Sequence, residues 1–183
     1  TYAFIIAIFS MVFYALIRIG QGATLEAESA NWQIKPEATF GGLALVFLLA
    51  RAFSSGTTAL TGVEAVSNGV PAFKKPKSKN AATTLLLLGV ISMTMFVSLT
   101  WLALYTKVKV GERSEDLIGL PEGQVQKTVI AQVANAVFSN FRPGALIVSI
   151  VTALILVLAA NTAFNGFPVL GSILARDGYL PRQ

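Results

Sequence analysis

Four long apolar stretches dominate the sequence, and polar segments separate them. They cover Thr1 to Gly20, Gly41 to Phe73, Ala81 to Tyr105 and Gly144 to Ala175. The third and fourth contain no charged residue, and the first has only Arg18, close to its end. A helix of about 20 residues crosses a hydrocarbon core of ~30 Å. The pattern therefore predicts an all-α transmembrane chain with four spans.

The second apolar stretch is longer than one straight crossing needs. Its middle reads SSGTTALTG, where hydroxyl side chains compete for backbone hydrogen bonds and glycines relax the backbone. We predict two half-helices, about Gly41 to Thr58 and Val63 to Phe73, broken near Ala59 to Gly62, as in transporter binding sites. The alternative is a continuous helix whose small residues pack against neighbouring spans.

A basic turn indicates how the chain is oriented. Lys74, Lys75, Lys77 and Lys79 follow the second stretch without any acidic residue, and short cytoplasmic loops concentrate such charges. We therefore expect a multi-pass protein of the cell membrane, with loop 74–80 and the C-terminal end in the cytoplasm. The outer loops are then 21–40 and 106–143. A nucleic-acid patch is disfavoured, because no aromatic residues interleave with the lysines.

The second outer loop contains a further helical pattern. Apolar residues recur there at helical spacing, namely Val125, Val129, Ile130, Val133, Ala134, Val137 and Phe138. Pro121 suits a first helical turn, which predicts an amphipathic helix over about 121–140. The polar residues are predicted to lie off the apolar stripe: Gln124, Gln126, Lys127, Gln132 and Asn135. We expect this helix to lie across the outer mouth or at the membrane interface.

Composition supports a membrane protein and excludes several chemistries. Apolar residues make up 54% of the chain and charged residues only 13%, about half the charge of a soluble domain. Histidine and cysteine are absent, which excludes imidazole or thiolate metal sites and His-dependent nucleophilic catalysis by these residues. Because the chain starts inside an apolar run without Met, we expect it to be an internal piece of a longer protein.

Two charged residues fall within the second stretch. Glu64 is the only acid inside an apolar block, and ionisable groups at membrane depth are functional candidates. It is either a proton-coupling group or a structural strut that accepts hydrogen bonds at the start of the second half-helix. Arg51 lies nearer the outer interface, where snorkelling accounts for it as well as function does.

Polar side chains near the predicted break are candidates for binding a solute. Thr57, Thr58 and Thr61, with Gly62, offer hydroxyl and carbonyl oxygens, which suit an alkali cation or a substrate ammonium. A membrane threonine more commonly bonds its own i−4 carbonyl. In the fourth stretch, Asn161, Thr162 and Asn165 interrupt the apolar run; they either line a pathway or join helices through hydrogen bonds.

Two segments carry a resemblance to a known family. FSSGTTALTGVEAVSNGVPAFKKPKSKNAATTL resembles the sixth span and following loop of the amino acid–polyamine–organocation (APC) superfamily, through the Gly62-Val63-Glu64 step, Asn68, Pro71 and the Lys-Pro-Lys-Ser-Lys-Asn turn. AANTAFNGFPVLGSILARDGYLPR resembles its eighth span. Within the superfamily, the segments ALTGVEA and LILVLAANT resemble those of the KimA-type bacterial potassium importers.

The resemblance implies more than the residues do. It implies a LeuT-type fold of two inverted five-helix repeats, in which the first and sixth spans are broken around a central site. The chain would hold spans five to eight, and the first and third spans would lie elsewhere in the same protein. By the resemblance, Asn68 is a further candidate for lining the pathway or for helix packing.

These features favour a secondary active transporter of the amino acid permease type, with proton-coupled potassium uptake by alternating access. Amino acid transport by the same fold is the first alternative, and a non-transporting membrane receptor or scaffold is the second. An enzyme is disfavoured because no base and nucleophile pair is visible. We expect no cofactor, only potassium and protons as transported species. The expected partners are the lipid bilayer, a small solute or cation, the remaining spans and, as an open option, a second copy.

Overall fold

The computed structural model describes residues 1–35, 42–57, 61–111, 113–121, 123–176 and 178–179. Over these residues the chain is mostly helical. In order, its elements are α1 (Tyr2–Gly20), β1 (Gln33–Ile34), α2 (Leu43–Gly56), α3 (Thr61–Asn68), α4 (Lys77–Tyr105), β2 (Leu117–Ile118), α5 (Val129–Val137) and α6 (Arg142–Arg176). Short 3-10 turns cover Val70–Ala72 and Ser114–Asp116.

Within the described ranges, three helices are long and apolar enough to cross a membrane. They are Tyr2–Gly20, Lys77–Tyr105 and, within α6, Arg142–Asn161. They correspond to the first, third and fourth predicted spans. The whole of α6 has 35 residues, which is about 52 Å at 1.5 Å per residue and therefore longer than the hydrocarbon core.

The second predicted span occurs as two described helices. Helix α2 ends at Gly56 and α3 begins at Thr61, so Gly62 lies inside α3 and not at a break. Residues 58–60, where the chain would be broken, lie outside the described residues. The broken second span and the count of four spans therefore stay predictions. Helix α2 has only 14 residues, which is too short to cross a membrane alone.

Helices α1, α4 and α6 meet at one end of the bundle around a compact apolar core. Ile8 and Met11 of α1, Leu102 of α4 and Val133 of α5 are fully buried there. The ring of Tyr14 stacks on that of Phe138 with centroids 5.2 Å apart. This core joins the middle and second half of α1 to the end of α4 and the start of α6.

A layer of polar chain covers this end (residues 21–35, 106–111, 113–121 and 123–141). We call it the outer cap, after the predicted orientation. Its two strands pair antiparallel, with Gln33 opposite Ile118 and Ile34 opposite Leu117. The amide of Ala27 donates to the Thr106 carbonyl at 2.9 Å, and that of Lys35 donates to the Asp116 carbonyl at 2.8 Å. Backbone hydrogen bonds therefore join the two predicted outer loops into one structure.

The helix of the outer cap is shorter than the sequence pattern predicts. It covers Val129–Val137 and not 121–140, because the Thr128 hydroxyl caps its first turn by accepting from the amide of Ala131 at 3.3 Å. Pro121 does not begin a helix, and Val125 is 81% exposed. The segment before Thr128 is instead held by Gln126, whose amide side chain bonds both backbone groups of Gly111.

Outside the core, the helices present large apolar side chains on their surfaces. Every described residue of α2 is exposed, and so are Leu86, Val90 and Phe96 of α4. Apolar surfaces of this extent are unusual on a soluble monomer. They fit contact with lipid or with further spans.

Candidate functional site

The predicted solute site lies where α2 ends and α3 begins. Thr57 follows the last residue of α2 and is exposed, and its hydroxyl donates to the Ser54 carbonyl at 2.6 Å. The hydroxyl hydrogen of Thr57 is therefore used by the helix end, while its oxygen keeps acceptor capacity. Thr58 lies outside the described residues, so no geometry joins it to Thr57.

The backbone of Thr61, Gly62, Glu64 and Asn68 forms part of helix α3. It packs against α4, where a Cβ placed on Gly62 would lie 3.5 Å from Leu88. That distance is ordinary van der Waals contact, so Gly62 is not required by crowding. The side chains of Thr61, Glu64 and Asn68 lie outside the described part of the chain, and their proposed roles stay predictions.

The polar residues of α6 fall in two groups. Near its start, the hydroxyls of Ser149 and Thr152 donate to the carbonyls four residues earlier, at 2.9 and 2.7 Å, which is the common behaviour of hydroxyls in membrane helices. Farther along, Asn161 is exposed. The side chains of Thr162 and Asn165 are outside the described residues, so the predicted polar face is not tested.

Arg51 lies in the middle of α2 and is exposed. It sits on a helix that is apolar on either side, with Leu48 and Phe53 also exposed. A guanidinium on such a helix suits snorkelling toward the membrane interface.

The outer cap contains a buried polar network that the sequence pattern did not reveal. Ser29 and Gln132 are 0% and 1% exposed, and the Ser29 hydroxyl donates to Gln132 Oε1 at 2.5 Å. The same hydroxyl accepts from the Lys109 amide at 2.7 Å, while Gln132 Nε2 donates to the Lys127 carbonyl at 3.0 Å. The prediction that Gln132 lies off the buried stripe is therefore wrong, because loop 21–35 covers that side of α5.

A second feature that the sequence did not predict is the set of hydrogen bonds that Arg18 makes. Its guanidinium donates to the Val137 carbonyl at 2.8 Å, to the Ser139 hydroxyl at 2.8 Å and to the Ala136 carbonyl at 3.4 Å. The last carbonyls of a helix lack partners and carry partial negative charge. Arg18 therefore joins the end of α1 to the end of α5. The sequence signal for this contact was that Arg18 is the only charged residue in its apolar stretch and lies close to the end of it.

A polar cavity of about 430 Å³ opens on the outer cap between loop 21–35 and α5. Its lining includes Glu26, Glu28 and Asn135. Glu26 pairs with Lys107 at 2.9 Å and Glu28 pairs with Lys127. Since both carboxylates already have cationic partners, the cavity offers no bare anionic site. Among the described residues, no group of three or more acidic side chains is placed to hold a metal ion.

These features define a class of protein: a helical chain with several candidate membrane spans and a structured cap at one end. A family model described as amino acid permease matches residues 1–183. The chain belongs to the amino acid permease family. This is a family of transporters and not of enzymes, and membership implies the LeuT-type fold.

A named relative is also similar over the whole chain. The protein named potassium transporter KimA, from Bacillus subtilis (strain 168), is 39% identical over 182 residues. That alignment covers 100% of this chain and 27% of the relative, so the chain spans about a quarter of the length of the curated relative it matches. The APC resemblance, including its KimA-type variant, is confirmed. The solute, the coupling ion, the orientation and a second copy are not.

Proposed function

We propose that the full-length protein is a secondary active transporter that imports potassium together with protons by alternating access. The observation that carries this proposal is the 39% identity, over the whole chain, to a protein named as a potassium transporter. Family membership alone does not identify potassium as the solute, because the matching family model is described as amino acid permease.

The hydroxyl-rich segment supports a cation as the solute. In our proposal Thr57, Thr58, Thr61 and Gly62 contribute hydroxyl and carbonyl oxygens, which are the ligands that alkali cations accept in place of water. Because the Thr57 hydroxyl hydrogen is donated to the Ser54 carbonyl, the hydroxyl oxygen keeps lone pairs that a cation can bind. An amino acid would need a carboxylate site and an ammonium site at the same break.

The remaining polar residues of these helices have proposed supporting roles. Glu64 is the proton-coupling candidate, since it is the only acid in the predicted spans and ionisable groups at membrane depth are functional candidates. Asn68, Asn161, Thr162 and Asn165 either line the pathway or hold helices together. These two roles differ in their effects, because a pathway residue changes uptake whereas a packing residue changes stability.

Uptake by the purified full-length protein in proteoliposomes tests the proposal. We expect an inward proton gradient to drive accumulation of the potassium tracer ⁸⁶Rb⁺, with unlabelled potassium competing and amino acids having no effect. Competition by an amino acid, with no rubidium uptake, would favour the alternative substrate. Absence of any solute uptake by folded, correctly inserted protein would favour the receptor or scaffold reading.

The proposed orientation has its own test. Ser78 is exposed within loop 74–80 and Gln124 is exposed in the outer cap, and the chain has no cysteine of its own. In a background without other cysteines, Gln124→Cys should react with an impermeant maleimide added to intact cells, and Ser78→Cys should react only after lysis. The reverse pattern would invert the proposed topology.

A further inference from the structure

Four lysines lie at the start of α4, at the end of that helix opposite the outer cap. We call residues 74–79, which contain Lys74, Lys75, Lys77 and Lys79, the lysine turn. Helix α4 begins at Lys77, and from Ala81 to Tyr105 it carries no charge. Because ~30 Å of hydrocarbon takes about 20 of these residues, the lysine turn lies at the level of the lipid headgroups.

The positive charge of this turn is not neutralised locally. The sequence has no acidic residue between Glu64 and Glu112, and all four lysines are exposed. In the part of the chain that the structure describes, no carboxylate pairs with any of them. The first turn of α4 also lacks a side-chain cap, so its free amides add partial positive charge.

The turn has a defined shape and is not a loose tail. The Lys77 ammonium donates to the Pro71 carbonyl at 2.5 Å, and Asn80 Nδ2 donates to the Lys74 carbonyl at 2.9 Å. The 3-10 turn Val70–Ala72 packs on α4 next to it. Lys74, Lys75 and Lys79 therefore extend from a braced backbone, which lowers the ordering cost of binding a ligand.

We propose that the lysine turn binds the phosphate headgroups of anionic phospholipids in the folded transporter. A compact ammonium group suits a phosphate, and a lysine near an anionic membrane surface contributes about fivefold in affinity, which is 1 kcal/mol. Directing topology during insertion is a different role, because it ends once the protein has folded. The proposal does not depend on which solute is carried.

Lipid binding to the full-length protein tests the proposal without measuring transport. The protein in a neutral detergent is titrated with phosphatidylglycerol or phosphatidylcholine, and native mass spectrometry counts the bound lipids. Wild type should bind phosphatidylglycerol more tightly. The triple variant Lys74→Gln/Lys75→Gln/Lys79→Gln should bind it at least about fivefold more weakly, with phosphatidylcholine binding unchanged. Lys77 is kept because it braces the turn.

Two controls separate charge from folding and location. The triple Lys→Arg variant at the same positions keeps the charge and should retain the preference. Lys35→Gln with Arg142→Gln removes two exposed cations from the opposite end and should also retain it. Unchanged phosphatidylglycerol binding by the triple Gln variant would overturn the proposal. So would complete competition by soluble glycerol phosphate, which would indicate a free-phosphate site.

The wild-type protein supplies a test that needs no variant to fold. Salt screens exposed charges over a Debye length of about 3 Å at 1 M. The preference for phosphatidylglycerol over phosphatidylcholine should therefore shrink steeply as salt is raised. A preference that persists unchanged at high salt would show that the headgroup charge is not what the protein recognises, and would contradict the proposal.

Discussion

The guanidinium of Arg18 lies 2.8 Å from the carbonyl oxygen of Val137, although 119 positions separate the two residues in sequence. Arg18 is in the last turn of α1, and Val137 is the last residue of α5. A charged donor on the unpaired carbonyls of a helix end is a favourable arrangement, since the partial charges there are negative. This contact fixes how the outer cap sits on the first span.

Replacing Arg18 should loosen the outer cap. Arg18→Met keeps an apolar stem but loses all three hydrogen bonds, and hydrogen bonds to charged groups contribute about 1.5–3 kcal/mol. We expect a melting temperature of the full-length protein several degrees lower, with Arg18→Lys intermediate. Arg142→Met at an exposed position of α6 is the matched control and should melt close to wild type. Equal melting of Arg18→Met and wild type would contradict the role.

The buried pair of Ser29 and Gln132 gives a second stability prediction. Gln132→Ala should destabilise the cap by about 2–4 kcal/mol, because it opens a cavity and leaves the Lys127 carbonyl without its donor. Gln124→Ala, at an exposed position, should have little effect. In a double-mutant cycle, the decreases in melting temperature caused by Ser29→Ala and by Gln132→Ala should not add up in the double variant. Simple additivity would show that the hydrogen bond contributes little.

The apolar spans could be predicted from sequence because their signal is local. Uninterrupted runs such as Ala81 to Tyr105 leave only a helix as a way to satisfy the backbone in lipid. Family membership was predictable for a related reason: the Gly62-Val63-Glu64 step and the lysine turn are short motifs that tertiary contacts do not alter.

The outer cap could be predicted only in part. Its helix follows from the apolar spacing of Val129, Val133 and Val137, and Thr128 was an available N-cap signal for where it begins. The burial of Gln132 depends on Ser29, which is 103 positions away. No periodicity encodes such a contact. The same holds for the two-residue pairing of β1 with β2, whose register is set by how the loops meet.

Thr61 carries the prediction for the solute site. If its hydroxyl oxygen binds the solute, Thr61→Ala should raise the apparent KM for uptake about threefold to tenfold, the loss expected for one neutral hydroxyl contact. Thr94→Ala is the matched control, because the Thr94 hydroxyl is exposed on α4 and bonds only the Val90 carbonyl at 2.7 Å among the described contacts. An unchanged KM in well-expressed Thr61→Ala protein would show that the Thr61 hydroxyl does not bind the solute.

Glu64 carries the prediction for coupling, and its two proposed roles give different results. If Glu64 takes up and releases the transported proton, Glu64→Gln cannot change charge, so uptake should lose its dependence on external pH and on the proton gradient while solute binding persists. If Glu64 is a strut at the start of α3, the glutamine keeps part of the hydrogen bonding. Uptake per folded molecule should then keep the wild-type pH profile, while expression and melting temperature fall.

Measuring both quantities on the same protein separates these outcomes. Uptake of ⁸⁶Rb⁺ into proteoliposomes is recorded against external pH for wild type and Glu64→Gln, with reconstituted protein quantified and its melting temperature determined. Glu64→Asp is the charge-keeping control, since it can still titrate from a shorter side chain and should retain a pH response. If Glu64→Gln accumulates solute against its gradient with an unchanged pH profile, proton coupling does not run through Glu64. The coupling group would then be another ionisable residue of the full-length protein.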